Sequence, residues 1–184
     1  MKYKVFLIPV IIAAAGCSLA PKQQPALHDF GASILVPPGN HTDEARIIVA
    51  APKWLWDSRI RYRLLYAAPT QVRFYALDRW IAPPPELFEQ RLTANGNMLN
   101  YPLRIRLLDF EQQFEAPDKA RALLRFYVEA YVADNKTVIA AQEIRLEKMT
   151  QTADAAGAVN AFADLTQQAG DKIRDWLTGL PNKP

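Results

Sequence analysis

The sequence predicts an α+β domain: a largely antiparallel sheet of about six to seven strands with two main helices, the C-terminal one long and packed on the sheet. Three observations support this class. Apolar and polar residues alternate through most of the chain, as they do in half-buried strands. Short turn-like segments join consecutive strands, which favours antiparallel neighbours. Near the end, apolar residues recur every three or four positions, which indicates a long amphipathic helix.

The first residues, 1–16, predict a lipoprotein signal peptide. Two lysines precede an apolar run at 5–15, which as a helix would rise only about 17 Å. A membrane span needs about 30 Å, so the run suits a cleaved secretory signal rather than a permanent anchor. Small residues at 13–16 (AAAG) then lead to Cys17, the only cysteine of the chain.

The stretch Ala-Ala-Gly-Cys resembles the lipobox of bacterial lipoproteins, with Ala14 where Leu is most common. The resemblance implies that Cys17 carries a diacylglycerol on its thiol and an acyl chain on its amino group, with no other cofactor. Ser18, rather than Asp, follows the cysteine, and this implies sorting to the periplasmic face of the outer membrane. The alternative is an ordinary cleaved signal followed by an unmodified cysteine.

Residues 17–28 are interpreted as the lipidated N-terminus and a tether, because they are polar and contain prolines. The eleven residues from Ser18 to His28 extend at most about 35–40 Å. Residues 29–184 predict one domain of ordinary size. The net charge of +3 falls to 20 − 19 = +1 when Lys2 and Lys4 leave with the signal. Such a balance gives no case for a nucleic-acid partner.

The first half of the domain predicts short strands, a hairpin and a helix. A short apolar piece at 33–36 is followed by RIIVAA at 46–51, which predicts a buried strand that ends at Pro52. Alternating residues from 59 to 76 predict a hairpin with its turn at 67–70. Three prolines at 83–85 open a helix from about Pro84 to Thr93, since proline is favoured in the first helical turn.

The second half predicts three long strands and the closing helix. The strand at 102–115 changes face near Leu107 and Leu108, which predicts a β-bulge. Strands at 120–132 and 137–149 follow, joined by a turn, with opposite charges on their solvated face. Asp154 is a plausible cap for the last helix, and Gly179 with Pro181 ends it.

The motifs of enzyme chemistry do not stand out, and the sequence predicts a protein that is not an enzyme. His28 and His41 have no second ligand at a metal-like spacing and are interpreted as surface residues. Three features are candidates for binding a partner: an aromatic cluster, an arginine face and an apolar rim at 80–85. The first two have plainer alternatives, namely core or loop packing for the aromatic residues and an ordinary solvated face for the arginines. The candidate residues are Trp54, Trp56, Arg59, Arg61, Arg63 and Trp80.

The order of these motifs resembles the ABC-type transport auxiliary lipoprotein family, the PqiC-like group. The resemblance runs from about Arg46 to Leu180, and its densest part is RIIVAAPKWLWDSRIRYRLLYAAPTQVRFYALDRWIAPPPELFEQRL. The turn of the hairpin departs from the family, because Ala67-Ala68-Pro69 replaces a common tyrosine. The positions that match the family pattern are Pro52, Leu55, Asp57, Tyr62, Arg63, Tyr75, Trp80 and 83–85.

The resemblance implies a lipid-anchored outer-membrane subunit that works with an MCE-domain protein and an ABC transporter. Such systems move lipids or other hydrophobic molecules across the envelope, and the auxiliary subunit would dock or assemble the conduit rather than catalyse a reaction. The sequence also leaves open whether the chain forms a homo-oligomer. The alternative function is a periplasmic chaperone that carries lipids or lipoproteins, with a sheet curved around an apolar cavity.

Overall fold

The computed structural model describes residues 23–31, 47–94, 101–132 and 136–180. Within these ranges the chain forms strands, a helix, strands and a second helix, in the predicted order. The elements are β1 (Ala26–His28), β2 (Ile47–Ala50), a short 3-10 helix (Lys53–Leu55), β3 (Arg59–Leu64), β4 (Arg73–Trp80), α1 (Pro84–Ala94), β5 (Leu103–Ala116), β6 (Lys119–Tyr131), β7 (Val138–Met149) and α2 (Ala155–Thr178).

The seven strands form one mixed sheet, in the order β1-β4-β3-β5-β6-β7, with β2 also paired to β5. The hairpins β3–β4, β5–β6 and β6–β7 are antiparallel, but β1–β4, β2–β5 and β3–β5 are parallel. The prediction of a largely antiparallel sheet is therefore wrong. Short turns reveal only the strands they join, whereas the parallel pairs bring together strands that are distant in sequence.

β2 and β3 share one side of β5. β2 pairs with the first residues of β5, and β3 pairs with its second half. Between them, Pro52 and the 3-10 helix lead the chain away from the sheet. Only Ile47 and Val49 of β2 are buried, so the strand predicted as buried is buried on one face only. The backbone N–H of Val49 donates to Glu89 Oε2 at 2.7 Å, which links β2 to α1.

The predicted bulge in β5 is confirmed. The register with β6 shifts between Leu107 and Asp109. Leu107 and Phe110 are both buried, although three positions separate them, where an unbroken strand returns to the same face every second residue. The extra residue lets a fourteen-residue strand keep buried side chains, all apolar except Gln112, on the helix-covered face along its whole length.

β1 lies inside the segment predicted as a tether. Its three residues pair in parallel with Asp78, Arg79 and Trp80 of β4. His28 Nε2 lies 2.8 Å from Asp78 Oδ1, across the same pair of strands. So short a segment carries no period-two signal. The short apolar piece at 33–36, the signal peptide with Cys17, His41 and Pro181 lie outside the described residues.

The core lies between the sheet and the two helices, and an aromatic cluster forms its centre. Phe110 of β5 stacks on Phe162 of α2, with 3.9 Å between ring centroids and 15° between planes. Trp80 meets both rings edge-on, at 5.8 and 5.9 Å, and Phe30 packs on Trp80 at 5.4 Å. Edge-to-face and offset-stacked rings stabilise a core beyond the area that they bury.

A buried polar chain joins the sheet to the start of α2. Tyr75 Oη donates to Gln112 Oε1 at 2.6 Å, and Gln112 Nε2 donates to the carbonyl oxygen of Asp154 at 3.2 Å. Burial raises the pKa of Tyr75, so its hydroxyl stays a donor. The Asp154 carboxylate accepts from the backbone N–H of Gly157 at 2.8 Å. The predicted cap is confirmed, and α2 ends at Thr178, directly before Gly179.

We expect Asp154→Ala to lower the free energy of unfolding by about 1 kcal/mol, because it removes the helix cap. The bond from Gly157, then the hydroxyl of Thr152, lowers the pKa of Asp154. A lowered folded-state pKa contributes stability above the unfolded value of 3.8, and that stability is lost as the pH falls through the folded value. The difference between wild type and variant should therefore shrink in acid.

Urea unfolding at pH 7 and pH 3 measures this difference. Asp175→Ala is the matched control, because Asp175 lies in the last turn of the same helix and caps nothing at its start. An equal loss in both variants would contradict the assignment of Asp154 as the cap.

Candidate partner-binding surface

The 3-10 helix presents two tryptophans to solvent. Pro52 ends the approach from β2, and the side chain of Leu55 is buried, which fixes the turn against the core. Trp54 and Trp56, on either side of Leu55, are 61% and 48% exposed. Trp56 Nε1 donates to the carbonyl oxygen of Ala51 at 3.2 Å, so this ring is held in place. The structure thus places the predicted aromatic cluster on the surface.

Arg59, the first of the three arginines on β3, is paired within its own loop. Its guanidinium donates to both carboxylate oxygens of Asp57, with Nε at 2.8 Å from Oδ2. The same group lies over the ring of Phe74, 3.8 Å from the centroid. The hydrogen bond from Arg59 lowers the pKa of Asp57, so this pair is present at neutral pH.

Arg61 and Arg63 converge on one carboxylate, that of Glu111. Arg63 forms a two-bond contact, with Nε and Nη2 at 3.0 and 3.2 Å from the two oxygens. Arg61 Nη2 lies 3.7 Å from Glu111 Oε2, and its Nη1 donates to the carbonyl of Trp54 at 3.4 Å. The side chains of Arg61 and Glu111 are only 10% and 7% exposed. Burial lowers the pKa of Arg61, and its Nε has no hydrogen-bond partner among the described atoms.

Glu111 and Asp57 together neutralise two of the three arginine charges inside the chain. The parallel register that pairs Arg63 with Gln113 brings Glu111 beside Arg61 and Arg63. The sequence predicts no distinct role for Glu111. Its role depends on a strand pairing between distant segments, which no local pattern reveals. The contact between Arg61 and the backbone of Trp54 ties the tryptophan turn to this buried carboxylate.

Trp80 is not part of any exposed surface. It is 2% exposed and packs at the centre of the aromatic cluster. Its neighbour Ile81 is 61% exposed, so the predicted apolar rim holds only in part. The alternation of β4 turns Trp80 towards the helices, where it meets Phe110 and Phe162. A partner could reach Trp80 only by displacing core residues.

The sheet face opposite the two helices, the helix-free face, carries further ion pairs, as the alternating charges predict. Arg125 on β6 lies between Asp109 on β5, at 2.5 Å, and Glu143 on β7, at 3.3 Å. The hydrogen bond with Asp109 raises the pKa of Arg125. Arg121 bridges the same strands further along, through Glu115 and Glu147. These pairs leave the exposed tryptophans as the chief apolar feature beside the arginine row.

Two further findings concern the described residues only. No group of three or more His, Cys, Asp or Glu side chains there has the arrangement of a metal site. Within the same ranges, no helix has the length and apolar character that crossing a bilayer requires.

The fold is shared with solved structures. A Xanthomonas campestris protein of the DUF330 family matches with a TM-score of 0.66 and 15% identity, over 83% of this chain and 95% of that one. An uncharacterised protein matches at 0.58 and 13%, over 83% and 98%. A candidate lipoprotein of Caulobacter crescentus matches only at 0.36 and 13%, over 52% and 83%. No family model and no curated protein sequence matches the chain. At these identities the likeness shows the fold alone.

We expect Glu111→Gln to destabilise the domain by about 3 kcal/mol, because it leaves two partly buried guanidinium groups without their counter-charge. Glu143→Gln is the matched control. Its carboxylate is half exposed and pairs with Arg125 at 3.3 Å, and such pairs contribute about 0–1 kcal/mol. Chemical unfolding of both variants measures the difference. Equal effects would show that Glu111 is not the counter-charge on which the arginine row depends.

Proposed function

We propose that the chain is an outer-membrane lipoprotein, anchored through Cys17, that docks an MCE-domain partner of an ABC-type lipid transport system. The observation that carries the proposal is the lipobox-like end of the signal, with the only cysteine of the chain directly after Ala-Ala-Gly. The order of motifs supports the transport role. The fold shared with a DUF330 protein fits it but does not test it.

The position of β1 supports a domain held close to the bilayer. β1 begins at Ala26, which is 26 − 17 = 9 positions after the proposed lipidated residue. Nine residues extend at most about 30 Å, so the sheet would stay within that distance of the membrane surface. This reach is shorter than that of the whole segment to His28, because the last three residues of the predicted tether belong to the sheet.

The exposed tryptophan turn is the docking contact that we propose for the protein partner. Tryptophan is enriched among the residues that carry binding energy at interfaces. The Trp56 ring is held by its bond to Ala51, and the backbone of Trp54 is held by Arg61, so the turn loses little backbone freedom when a partner binds. Arg61 supports this turn, and Arg63 holds the Glu111 carboxylate that Arg61 also approaches.

The carrier function remains the second candidate, since it shares the same anchor. A carrier would hold lipid in the purified state without an MCE partner, whereas a docking subunit would bind the partner and hold no lipid. Mass spectrometry of lipids extracted from the purified chain, with and without the partner, separates the two functions.

Replacing the proposed lipidated residue tests the anchor. We expect Cys17→Ser to abolish acyl labelling and to leave the protein out of the outer-membrane fraction. Ser18→Asp is the matched control, because it keeps the lipid but changes the residue that resembles a sorting signal. Labelling with a palmitate analogue and membrane fractionation measure both outcomes. An unmodified thiol on the mature natural protein would disprove the anchor.

Alanine substitution tests the docking turn. We expect Trp54→Ala with Trp56→Ala to weaken binding to the MCE-domain protein by about thirtyfold, which corresponds to about 2 kcal/mol. Leu77→Ala is the control, because Leu77 is also an exposed apolar residue, 46% accessible, but lies on β4. Binding is measured by interferometry on the lipidated chain in detergent. If the control weakens binding as much as the double variant, the turn is not the contact.

A further inference from the structure

The long strand β7 has an open side in the part of the chain that the structure describes. β7 pairs with β6 along one side and ends the sheet on the other. At twelve residues it is longer than most strands, whose usual length is about five or six. An edge of this length presents a row of backbone N–H and C=O groups that can pair with another strand.

The register with β6 shows which residues address the open side. The backbone N–H of Thr150 donates to Ala120 at 2.9 Å. Hydrogen-bonded pairs alternate along an antiparallel ladder, so the even-numbered residues of β7 bond to β6. The odd-numbered residues turn their backbone groups to the open side and their side chains to the helix-free face. In the part of β7 after the register shift with β6, which follows Val138, they are Ala141, Glu143, Arg145, Glu147 and Met149.

We propose that a second copy of this chain pairs with β7 in antiparallel orientation, about a two-fold axis through Ile144. In this register Glu143 of each copy lies opposite Arg145 of the other, and opposite charges on facing strands stabilise a pair. Ala141 lies opposite Glu147. From Ala141 to Glu147, every facing pair joins residues from the same face of the sheet, as pairing requires.

The charges of β7 select this register over its neighbours. An axis through Glu143 or Arg145 would place that residue against its own copy, and facing like charges are destabilising. A parallel, in-register arrangement would do the same for Glu143, Arg145 and Glu147. An axis through Leu146 keeps one opposite-charge pair but leaves the first half of the strand unpaired. The alternating signs that protect the edge from unspecific pairing therefore admit an antiparallel pair centred on Ile144.

The resulting dimer is closed, because each copy contributes the same strand to a two-fold interface. It joins two sheets into one continuous sheet through the part of β7 that follows the register shift. The tryptophan turn lies on the 3-10 helix after β2, away from this interface in the strand order. The proposal does not depend on the lipid anchor or on a transport partner, so its test can fail while the proposed function holds, and the reverse.

Charge reversal tests the dimer. We expect the full chain in detergent to have the mass of a dimer by light scattering, and we expect Glu143→Arg or Arg145→Glu to halve this mass. The double exchange should restore it, because the facing charges are again opposite. Within one chain, Glu143 pairs with Arg125 and Arg145 with Glu147. Arg145 also lies opposite Arg125 in the β6–β7 register. These internal contacts affect the stability of each copy but not the number of copies, so a mass that the double exchange fails to restore would contradict the facing pairs.

A cysteine placed on the axis gives a second measurement, in a chain with Cys17→Ser. At a pair without backbone hydrogen bonds the Cα atoms are about 4.5 Å apart, which a disulfide can span. Ile144→Cys should therefore cross-link to its own copy. Gln142→Cys is the control, since it lies four residues, about 13 Å, from its copy. A chain that stays monomeric at all concentrations would overturn the proposal and leave the edge to another protein. A dimer whose mass is unchanged by Glu143→Arg or Arg145→Glu would also overturn it.

Discussion

The stacked pair of Phe110 and Phe162 is the contact on which the rest of the domain depends. It fixes α2 against the central strand β5, 3.9 Å between ring centroids. Trp80 and Phe30 extend the same cluster to β4 and to the residues after β1. Because β3 pairs with both β4 and β5, the position of the tryptophan turn follows from these aromatic contacts. The bulge in β5 is what allows Phe110 to face the helix at all.

A single buried carboxylate decides the character of the proposed docking surface. A strand with three arginines would by itself favour an acidic partner or an anionic headgroup. Glu111 between Arg61 and Arg63, and Asp57 on Arg59, neutralise two of these three charges within the chain. Apolar contact with Trp54 and Trp56 then outweighs attraction between charges as the basis for recognition. Arg61 instead holds the backbone of the turn through the carbonyl of Trp54.

Local features of this fold could be predicted from the sequence, and long-range ones could not. The proline-opened helix, the cap at Asp154 and the bulge near Leu107 each depend on residues close in sequence, and the structure contains all three. The parallel pairs β1–β4, β2–β5 and β3–β5 depend on segments that meet only in the folded chain. For this reason the sequence offered Trp80 as a surface residue and gave Glu111 no distinct role.

The short strand β1 has a mechanical consequence for a chain anchored at Cys17. Tension on the anchor would reach the domain through β1, the shortest of the described strands. Its three residues pair with β4. Those pairs would separate first and release about 10 Å of slack. Beyond them, Phe30 is seated in the aromatic cluster and its carbonyl accepts from Arg91 of α1. Unpairing would therefore stop at Phe30. The segment between the anchor and the domain would lengthen under tension while the core stays folded.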